Sequence, residues 1–171
     1  MGEFNVSRKG INYKVLYDDI DRSLIDKYLW FIDQDGYAVG YRKDLPRKHK
    51  IWIKMHRLIM YNELDLFSEI DHANHNIIDN RKQNLRVCTR RQNSVNVIPT
   101  GGSKYLGVCI VKRITRKKTG KIYIYYRYCA SIRVNGKRKY RGYFKTEVEA
   151  AIAYDNAAKI YHGEFANLNF K

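Results

Sequence analysis

Short runs of apolar and aromatic residues, separated by polar turns, dominate the first half of the sequence, and this pattern is typical of β-strands. Four strands are predicted there, at residues 11–17, 28–33, 37–41 and 51–54. The second and third runs are rich in aromatic residues and flank Asp35-Gly36, a dipeptide that favours a hairpin turn. Short helices are predicted near Asp21 and at residues 56–61. The N-terminal part of the chain is therefore predicted to be rich in sheet.

A different pattern occupies residues 68–93. Two segments that are short enough for strands, at residues 68–72 and 85–88, flank a long loop that is dense in Asn and Asp. Thr89 and Gln92 then match a capping box, in which the Thr hydroxyl caps a free amide of the first helical turn and the Gln reaches back. The predicted order is therefore strand, polar loop, strand and helix.

This order can bring three candidate functional side chains close together. Asp71 and His72 end the first strand and can face Asn93, just inside the helix. Asp and Asn offer hard oxygen ligands, and His72 offers a nitrogen base near pH 7. Such a set suits a divalent cation such as Mg²⁺ with a base beside it. Polar loops rich in Asn also serve turn geometry alone, so a purely structural role of these residues stays open.

The C-terminal pattern predicts a three-stranded sheet and a helix. The strands are predicted at residues 105–111, 122–134 and 137–144. Asn135-Gly136 supplies the type I′ turn between the last two strands. Thr146 and Glu149 form a second capping box. The alanine-rich helix that follows is predicted to end at His162, with Gly163 as its stop. Its small side chains let it pack closely on one face of the sheet.

The periodic pattern of hydrophobic and polar residues ends near residues 97–103, where Pro99 and Gly101-Gly102 favour turns. We therefore predict two modules, residues 1–99 and 100–171, and α+β as the fold class. Within the first module, the N-terminal strands fall in residues 1–53 and the Asn-rich unit at about 54–97. The chain has 171 residues, of which 44% are hydrophobic and two are proline, so it suits small folded domains and not a disordered protein.

The charge of the chain favours a polyanionic partner, since 33 Lys and Arg against 17 Asp and Glu give a formal net charge of +16. Residues 101–145 contain 14 Lys and Arg, interleaved with Tyr, and no Asp or Glu. Basic residues among aromatics fit a surface that follows nucleic-acid phosphates. A charge run can also be a merely solvated face, and that alternative stays open.

Other classes of protein are disfavoured. No apolar run approaches the roughly 20 residues that span a bilayer, and no signal-peptide pattern opens the chain. Cys88, Cys109 and Cys129 are an odd number, far apart and without a C-x-x-C pair, which argues against a disulfide framework and a zinc site. We therefore expect a cytoplasmic protein without a membrane partner.

Several short motifs follow one another in the first module. Within residues 54–96 they are His56-Arg57-Leu58-Ile59, Asp71-His72, Asp79-Asn80-Arg81, Asn84-Leu85-Arg86 and Asn93. Together they resemble the HNH nuclease family, in particular its phage and intron homing endonucleases. The resemblance implies a ββα-metal finger that holds one divalent ion, Mg²⁺ or another such as Mn²⁺. It implies that His72 is the general base and that Asp71 and Asn93 are the metal ligands. Asn84 matches the residue that braces the loop and orients the base, whereas His75 departs from the glycine that the family often has.

The second module carries its own motifs. Over residues 103–170 they include Ser103-Lys104-Tyr105, Asn135-Gly136-Lys137, Gly142-Tyr143-Phe144 and Ala166-x-Leu168-Asn169-Phe170. They resemble the Apetala-type (ethylene-response-factor) DNA-binding domain, whose sheet lies in the major groove. The resemblance and strand alternation imply DNA contacts on the sheet face opposite the helix, by Arg127, Ser131, Arg133, Arg138 and Tyr140. Cys109 and Val111 stand where plant members have arginines that contact bases. Phosphate contacts are therefore expected from Lys112, Arg113 or the insert Arg116-Lys117-Lys118, and Lys137 is a further predicted DNA contact.

Together the two resemblances predict a site-specific DNA endonuclease of the homing type, in which the first module cuts double-stranded DNA and the second holds it. One active site per chain implies a nick in one strand, by a monomer or a homodimer that needs no other protein. The expected location is the cytoplasm of a bacterium or of a phage-infected host. Two alternatives stay open: a sequence-specific DNA-binding regulator in which the finger is only a folded spacer, and a nonspecific or RNA-directed nuclease.

Overall fold

The structure is a computed structural model that describes residues 1–65, 68–96 and 102–170. The chain forms two compact units, Met1–Asn93 and Ser94–Lys171. Both units contain helices and antiparallel strands, which confirms the predicted α+β class. The predicted boundary at Pro99 and Gly101 lies outside the described residues. Within the described ranges, the helices are too short or too polar to cross a membrane.

Antiparallel hairpins and a three-stranded sheet build the first unit. Its strands are β1 (Gly2–Arg8), β2 (Ile11–Tyr17), β3 (Tyr28–Ile32), β4 (Ala38–Arg42), β5 (Ile53–Lys54), β6 (Glu69–His72) and β7 (Leu85–Cys88). Its short helices are α1 (Arg22–Ile25), α2 (Met55–Ile59) and α3 (Arg90–Asn93). β1 pairs with β2, β4 lies between β3 and β5, and β6 pairs with β7. The strand β1 is not among the predicted elements, whereas the other elements match predicted ones.

The core of the first unit joins the N-terminal strands to the β6–β7 hairpin. Val15, Ile25 and Met55 are fully buried in it, and Ile70 and Leu85 enter it from β6 and β7. Each such side chain stabilises the fold by about 1.5–3 kcal/mol through burial. The N-terminal residues therefore complete the unit that carries the Asn-rich loop.

The strand β2 also holds that loop through its backbone. The Leu16 amide donates to the Ile78 carbonyl at 3.0 Å, and the Asn80 amide donates to the Leu16 carbonyl at 2.9 Å. These hydrogen bonds to a neighbouring strand satisfy backbone polar groups of the loop, which is partly buried. The position of the loop thus depends on β2.

A three-stranded sheet and a long helix build the second unit. The elements are β8 (Val108–Arg116), β9 (Ile122–Val134), β10 (Lys137–Phe144) and α4 (Glu147–His162). The strand β9 lies between β8 and β10. Asn135 and Gly136 have φ of 56° and 70°, which confirms the predicted left-handed turn between β9 and β10. The strand β8 begins and ends later than predicted.

The helix α4 packs on one face of this sheet. It begins with the predicted capping box, in which the Glu149 amide donates to Thr146 Oγ1 and the Thr146 amide donates to Glu149 Oε2, both at 3.2 Å. It ends before Gly163, which has φ of 56°. The buried alanines Ala150, Ala151, Ala157 and Ala158 lie against the core of the sheet. Their small size permits the close contact that the sequence predicts.

Gly107→Ala is expected to destabilise the second unit by about 2–4 kcal/mol, because it combines backbone strain with a clash. Gly107 has φ of +68°, and a Cβ there would lie 2.0 Å from the Tyr154 ring. Gly120→Ala is the matched control, since Gly120 has φ of +81° but no atom within 4 Å of its Cβ position. It should cost about 1 kcal/mol. Urea unfolding followed by far-UV circular dichroism measures both losses. Equal losses would contradict the close packing of Tyr154 on Gly107.

Candidate functional site

The predicted metal-binding carboxylate lies on the β6–β7 hairpin. The two strands pair so that Asp71 is directly opposite Arg86 and His72 is opposite Leu85. Side chains at directly paired positions are within reach of one another, and the Arg86 guanidinium forms an ion pair with the buried Asp71 carboxylate. Arg86 therefore holds Asp71 in position and offsets part of the cost of burying its charge.

His72, the predicted general base, is buried beside two other rings. Its ring centroid lies 5.0 Å from that of His56, nearly perpendicular to it, and 6.1 Å from that of Tyr37. Burial lowers the pKa of His72, and a hydrogen bond with Asn80 and the charge of Asp71 oppose this effect. The ring is therefore neutral at pH 7 and can accept a proton.

His56, in α2, is the ring on which His72 packs edge to face. Burial, and after it the nearby charge of His72 when protonated, lowers the pKa of His56 to about 3. At neutral pH His56 therefore carries no charge, and its low pKa makes it a weaker base than an ordinary histidine. The motif that contains His56 is visible in the sequence, but its contact with His72 is not.

Hydrogen bonds within the loop at residues 73–84 hold the loop in shape. Asn84 Nδ2 donates to the Asp79 carbonyl at 2.8 Å, and the Asn74 amide donates to Asn84 Oδ1 at 3.0 Å. Asp79 is 1% exposed, and its carboxylate accepts from Asn74 Nδ2 at 3.0 Å and from Arg81 Nε at 2.7 Å. Asn84 thus links both ends of the loop. Its part in catalysis stays a prediction.

Asn93, the second predicted metal ligand, ends the short helix α3. The predicted capping box at the start of this helix is confirmed, since Gln92 N donates to Thr89 Oγ1 at 3.3 Å and Thr89 N donates to Gln92 Oε1 at 2.8 Å. Asn93 Nδ2 donates to Glu69 Oε2 at 2.6 Å. Strand alternation puts Glu69 and Asp71 on one face of β6. Asn93 therefore lies on the Asp71 side of the hairpin.

Oxygen atoms of Asp71, Asn93 and Glu69 lie on this side of the hairpin, and oxygen ligands are what Mg²⁺ and Mn²⁺ prefer. Because Asn93 Nδ2 binds Glu69, the amide oxygen of Asn93 is the atom that it can offer to a cation. Across the described ranges, no group of three or more His, Cys, Asp and Glu is arranged as a metal site. Asp71 and Asn93 thus offer oxygen donors of the kind that such a cation takes, and their binding of a metal ion stays a prediction.

The face of the second sheet that lies opposite α4 carries most of the predicted DNA contacts. Strand pairing sets Arg138 opposite Arg133 and Arg141 opposite Ser131, and directly paired residues share a face. Arg127 lies on the same face by alternation along β9. Arg113 pairs with Tyr125 of β9 and shares this face as well. The structure thus brings together five of the predicted residues on one surface, which we call the basic sheet face: Arg113, Arg127, Ser131, Arg133 and Arg138.

The prediction that Tyr140 belongs to the basic sheet face is wrong. The register of β10 against β9 shifts between Arg138 and Tyr140, so Lys139 is an extra residue and Tyr140 pairs with Ile132. Tyr140 packs against the core on the helix side of the sheet. An extra residue of this kind reverses the alternation that follows it. Arg141 therefore takes the place on the basic sheet face that Tyr140 was predicted to occupy.

Sequence reasoning missed two residues of the basic sheet face, Arg141 and Tyr143. The guanidinium carbons of Arg113 and Arg141 each lie 5.0 Å from the centroid of the Tyr143 ring. The sequence does contain these residues in its basic segment, but only the register shows that they meet. Lys112 pairs with Tyr126 and Lys137 pairs with Val134, and alternation along β9 puts both pairs on the face of the sheet that α4 covers. Their contact with DNA stays a prediction.

His56→Phe is expected to reduce the acid sensitivity of the first unit. In the folded chain His56 stays neutral down to about pH 3, whereas in the unfolded chain it binds a proton near its ordinary pKa of 6.5. The stability that its neutral state contributes is therefore complete above pH 6.5 and is lost as the pH falls below it, by about 1.4 kcal/mol per pH unit.

Urea unfolding between pH 6.5 and 4.5 measures this dependence. The emission of Trp30 and Trp52 is the readout, because both tryptophans of the chain are in the first unit. The wild type should lose stability more steeply with falling pH than His56→Phe. Identical slopes for the two proteins would contradict the burial of a neutral His56.

Comparison with known proteins finds a relative that carries a family name. The chain is 29% identical over 146 residues to a protein of Acanthamoeba polyphaga mimivirus named an uncharacterized HNH endonuclease. The alignment covers 85% of this chain and 69% of the mimivirus protein. No protein-family model and no solved structure matches the chain. The family in the name of the mimivirus protein is the one that the motifs of residues 54–96 resemble, and this similarity over most of the chain supports an HNH nuclease.

Proposed function

We propose that this chain is a site-specific DNA endonuclease of the homing type, which hydrolyses a phosphodiester bond with a histidine base and one divalent cation. The observation that carries the proposal is the buried, neutral His72 next to the Asp71 carboxylate, with Asn93 on the Asp71 side of the same hairpin. The name of the mimivirus relative supports the nuclease activity. The homing type rests on the resemblance of the motifs.

In the proposed reaction His72 accepts a proton from the water whose oxygen attacks the phosphorus atom. The bond between phosphorus and the leaving 3′ oxygen breaks, and that oxygen takes a proton from solvent water. The rings of His56 and Tyr37 and the hydrogen bond with Asn80 hold the imidazole in place. Asp71 and Asn93 would hold Mg²⁺ or Mn²⁺, and a cation held there would supply positive charge where negative charge develops on the phosphate. Arg86 keeps the Asp71 carboxylate in position for this role.

The basic sheet face is proposed to hold double-stranded DNA through the major groove. Arg127, Arg133 and Arg138 have the long donor side chains that read base edges in that groove. Arg113 and Arg141, with Tyr143 between them, add further charge and an aromatic surface. Because each chain has a single His72 site, one chain nicks one strand, and a double-strand cut needs two chains or two events.

His72→Ala is expected to abolish DNA cleavage, since removal of a general base typically costs about 10²–10⁴-fold in rate. The assay incubates purified protein with Mg²⁺ and supercoiled plasmids, with and without candidate target sites, and follows the open-circular product. The wild type should nick only plasmids that carry a target, and EDTA should prevent it. His162→Ala, at the end of α4 in the second unit, is the matched control and should cut like the wild type.

Each unwanted outcome of this assay identifies a different error. If the wild type and His72→Ala leave every plasmid equally intact, the chain is a DNA-binding protein without catalysis. If the wild type nicks every plasmid regardless of sequence, the site-specific and homing part of the proposal is wrong. If His72→Ala cuts like the wild type, the base is another residue.

A further inference from the structure

The β3–β5 sheet carries exposed aromatic side chains on the face that turns away from the core. Ile32 and Ala38 enter the core, and alternation puts Phe31 and Tyr41 on the other face. The rings of Phe31, Tyr41 and Trp52 contact one another, with centroids 5.0–5.8 Å apart. Trp52 is 57% exposed and Phe31 is 38% exposed. We call these three residues the aromatic face.

Basic side chains border the aromatic face. Lys50 Nζ lies 3.8 Å from the centroid of Tyr41, and Lys54 Nζ lies 3.8 Å from the centroid of Tyr37. Residues 45–62 contain five Lys and Arg and no Asp or Glu. Flat apolar rings next to positive charges fit nucleic acid, whose bases stack on aromatic rings while its phosphates attract lysines. A second copy of this chain fits less well, because its aromatic face would bring like charges together.

The aromatic face is connected to the candidate active site through Lys54 and Tyr37. Lys54 follows Trp52 by two residues on or next to β5, so the two side chains lie on one face of the sheet about 7 Å apart. Lys54 lies over the Tyr37 ring, and the Tyr37 ring contacts the His72 ring at 6.1 Å. A DNA strand that is cut beside His72 can therefore continue over Lys54 onto the aromatic face.

We propose that the aromatic face binds unstacked bases of the DNA strand that is being cut, next to the scissile phosphate, with Lys50 and Lys54 against its phosphates. Bases inside an intact duplex already stack on one another, so their faces are accessible to protein rings only where the duplex is opened. This proposal rests on the proposed nuclease function. It assigns to the first unit a DNA contact of its own, in addition to that of the basic sheet face.

Trp52 is itself the reporter that tests this proposal. The chain has two tryptophans, and Trp30→Phe leaves Trp52 as the single one. This protein is titrated with a single-stranded oligodeoxynucleotide of mixed sequence, in EDTA so that no cleavage occurs. Binding should quench the Trp52 emission and reduce its quenching by acrylamide. Trp52→Phe is the control, since its Trp30 is partly buried and donates to the Ile25 carbonyl at 3.0 Å, and its emission should change little.

Two outcomes would overturn the proposal. One is unchanged emission and acrylamide quenching of Trp52 while the anisotropy of a labelled oligonucleotide reports full binding. The other is protection of Trp52 that increases with protein concentration before DNA is added, which would mean that a second copy covers the aromatic face. Neither readout requires catalysis, so a chain that cuts no plasmid but protects Trp52 would refute the nuclease function, and with it the scissile phosphate, while base binding by the aromatic face would stand.

Affinity provides the second measurement, in case Trp30→Phe does not fold. Trp52→Ala should weaken binding of the single-stranded oligonucleotide about ten-fold, as loss of a base-stacking ring does. Ile20→Ala is the matched control, since Ile20 is an 83% exposed apolar residue in the turn before α1. It should bind like the wild type. Equal affinity of Trp52→Ala and Ile20→Ala would contradict the proposal.

Discussion

The candidate site in the first unit depends on the hydrogen bonds that fix a long polar loop, because the loop has few apolar side chains that could do so. The loop at residues 73–84 is fixed by side chains that bond its backbone, chiefly Asn84 and Asp79, and by the backbone of Leu16 in β2. Asn80, which hydrogen-bonds to His72, is a member of this network. The hydrogen bond that Asn80 makes with His72, the candidate base, therefore depends on β2, an element far from His72 in sequence. This dependence explains why the N-terminal strands belong to the same compact unit as the HNH-like motifs.

Local patterns predicted much of the fold because the responsible interactions are local. Both capping boxes, the left-handed turn at Asn135-Gly136 and the strand, loop, strand and helix order of residues 68–93 each depend on neighbouring residues. The strand β1 was missed because its turn places Lys9 as well as Gly10 at positive φ, and Lys does not signal such a turn. His75 also has positive φ, a backbone conformation that glycine adopts more readily, and this agrees with the glycine that the HNH resemblance leads one to expect at that position.

The site was less predictable, because its contacts depend on register and on burial. Asp71, His72 and Asn93 could be named from their types and spacing, but their partners Arg86 and Glu69 follow from strand pairing and from the position of α3. The error at Tyr140 has the same origin. No Gly or Pro marks the extra residue at Lys139 in the sequence, so simple alternation predicted the wrong face. Likewise, the sequence pattern does not distinguish the aromatic face from core residues, and only the structure of the sheet shows that Phe31 and Trp52 are exposed.

The central claim is that one unit cuts and the other holds DNA. It is tested most directly by measuring both binding and cleavage of one duplex that the wild type nicks, with His72→Ala and Arg133→Ala side by side. His72→Ala should bind with wild-type affinity and fail to cut. Arg133→Ala should bind about ten-fold more weakly, as loss of a base contact does, and cut at the wild-type rate once the DNA is saturating. Parallel loss of binding and cleavage in both variants would contradict the account.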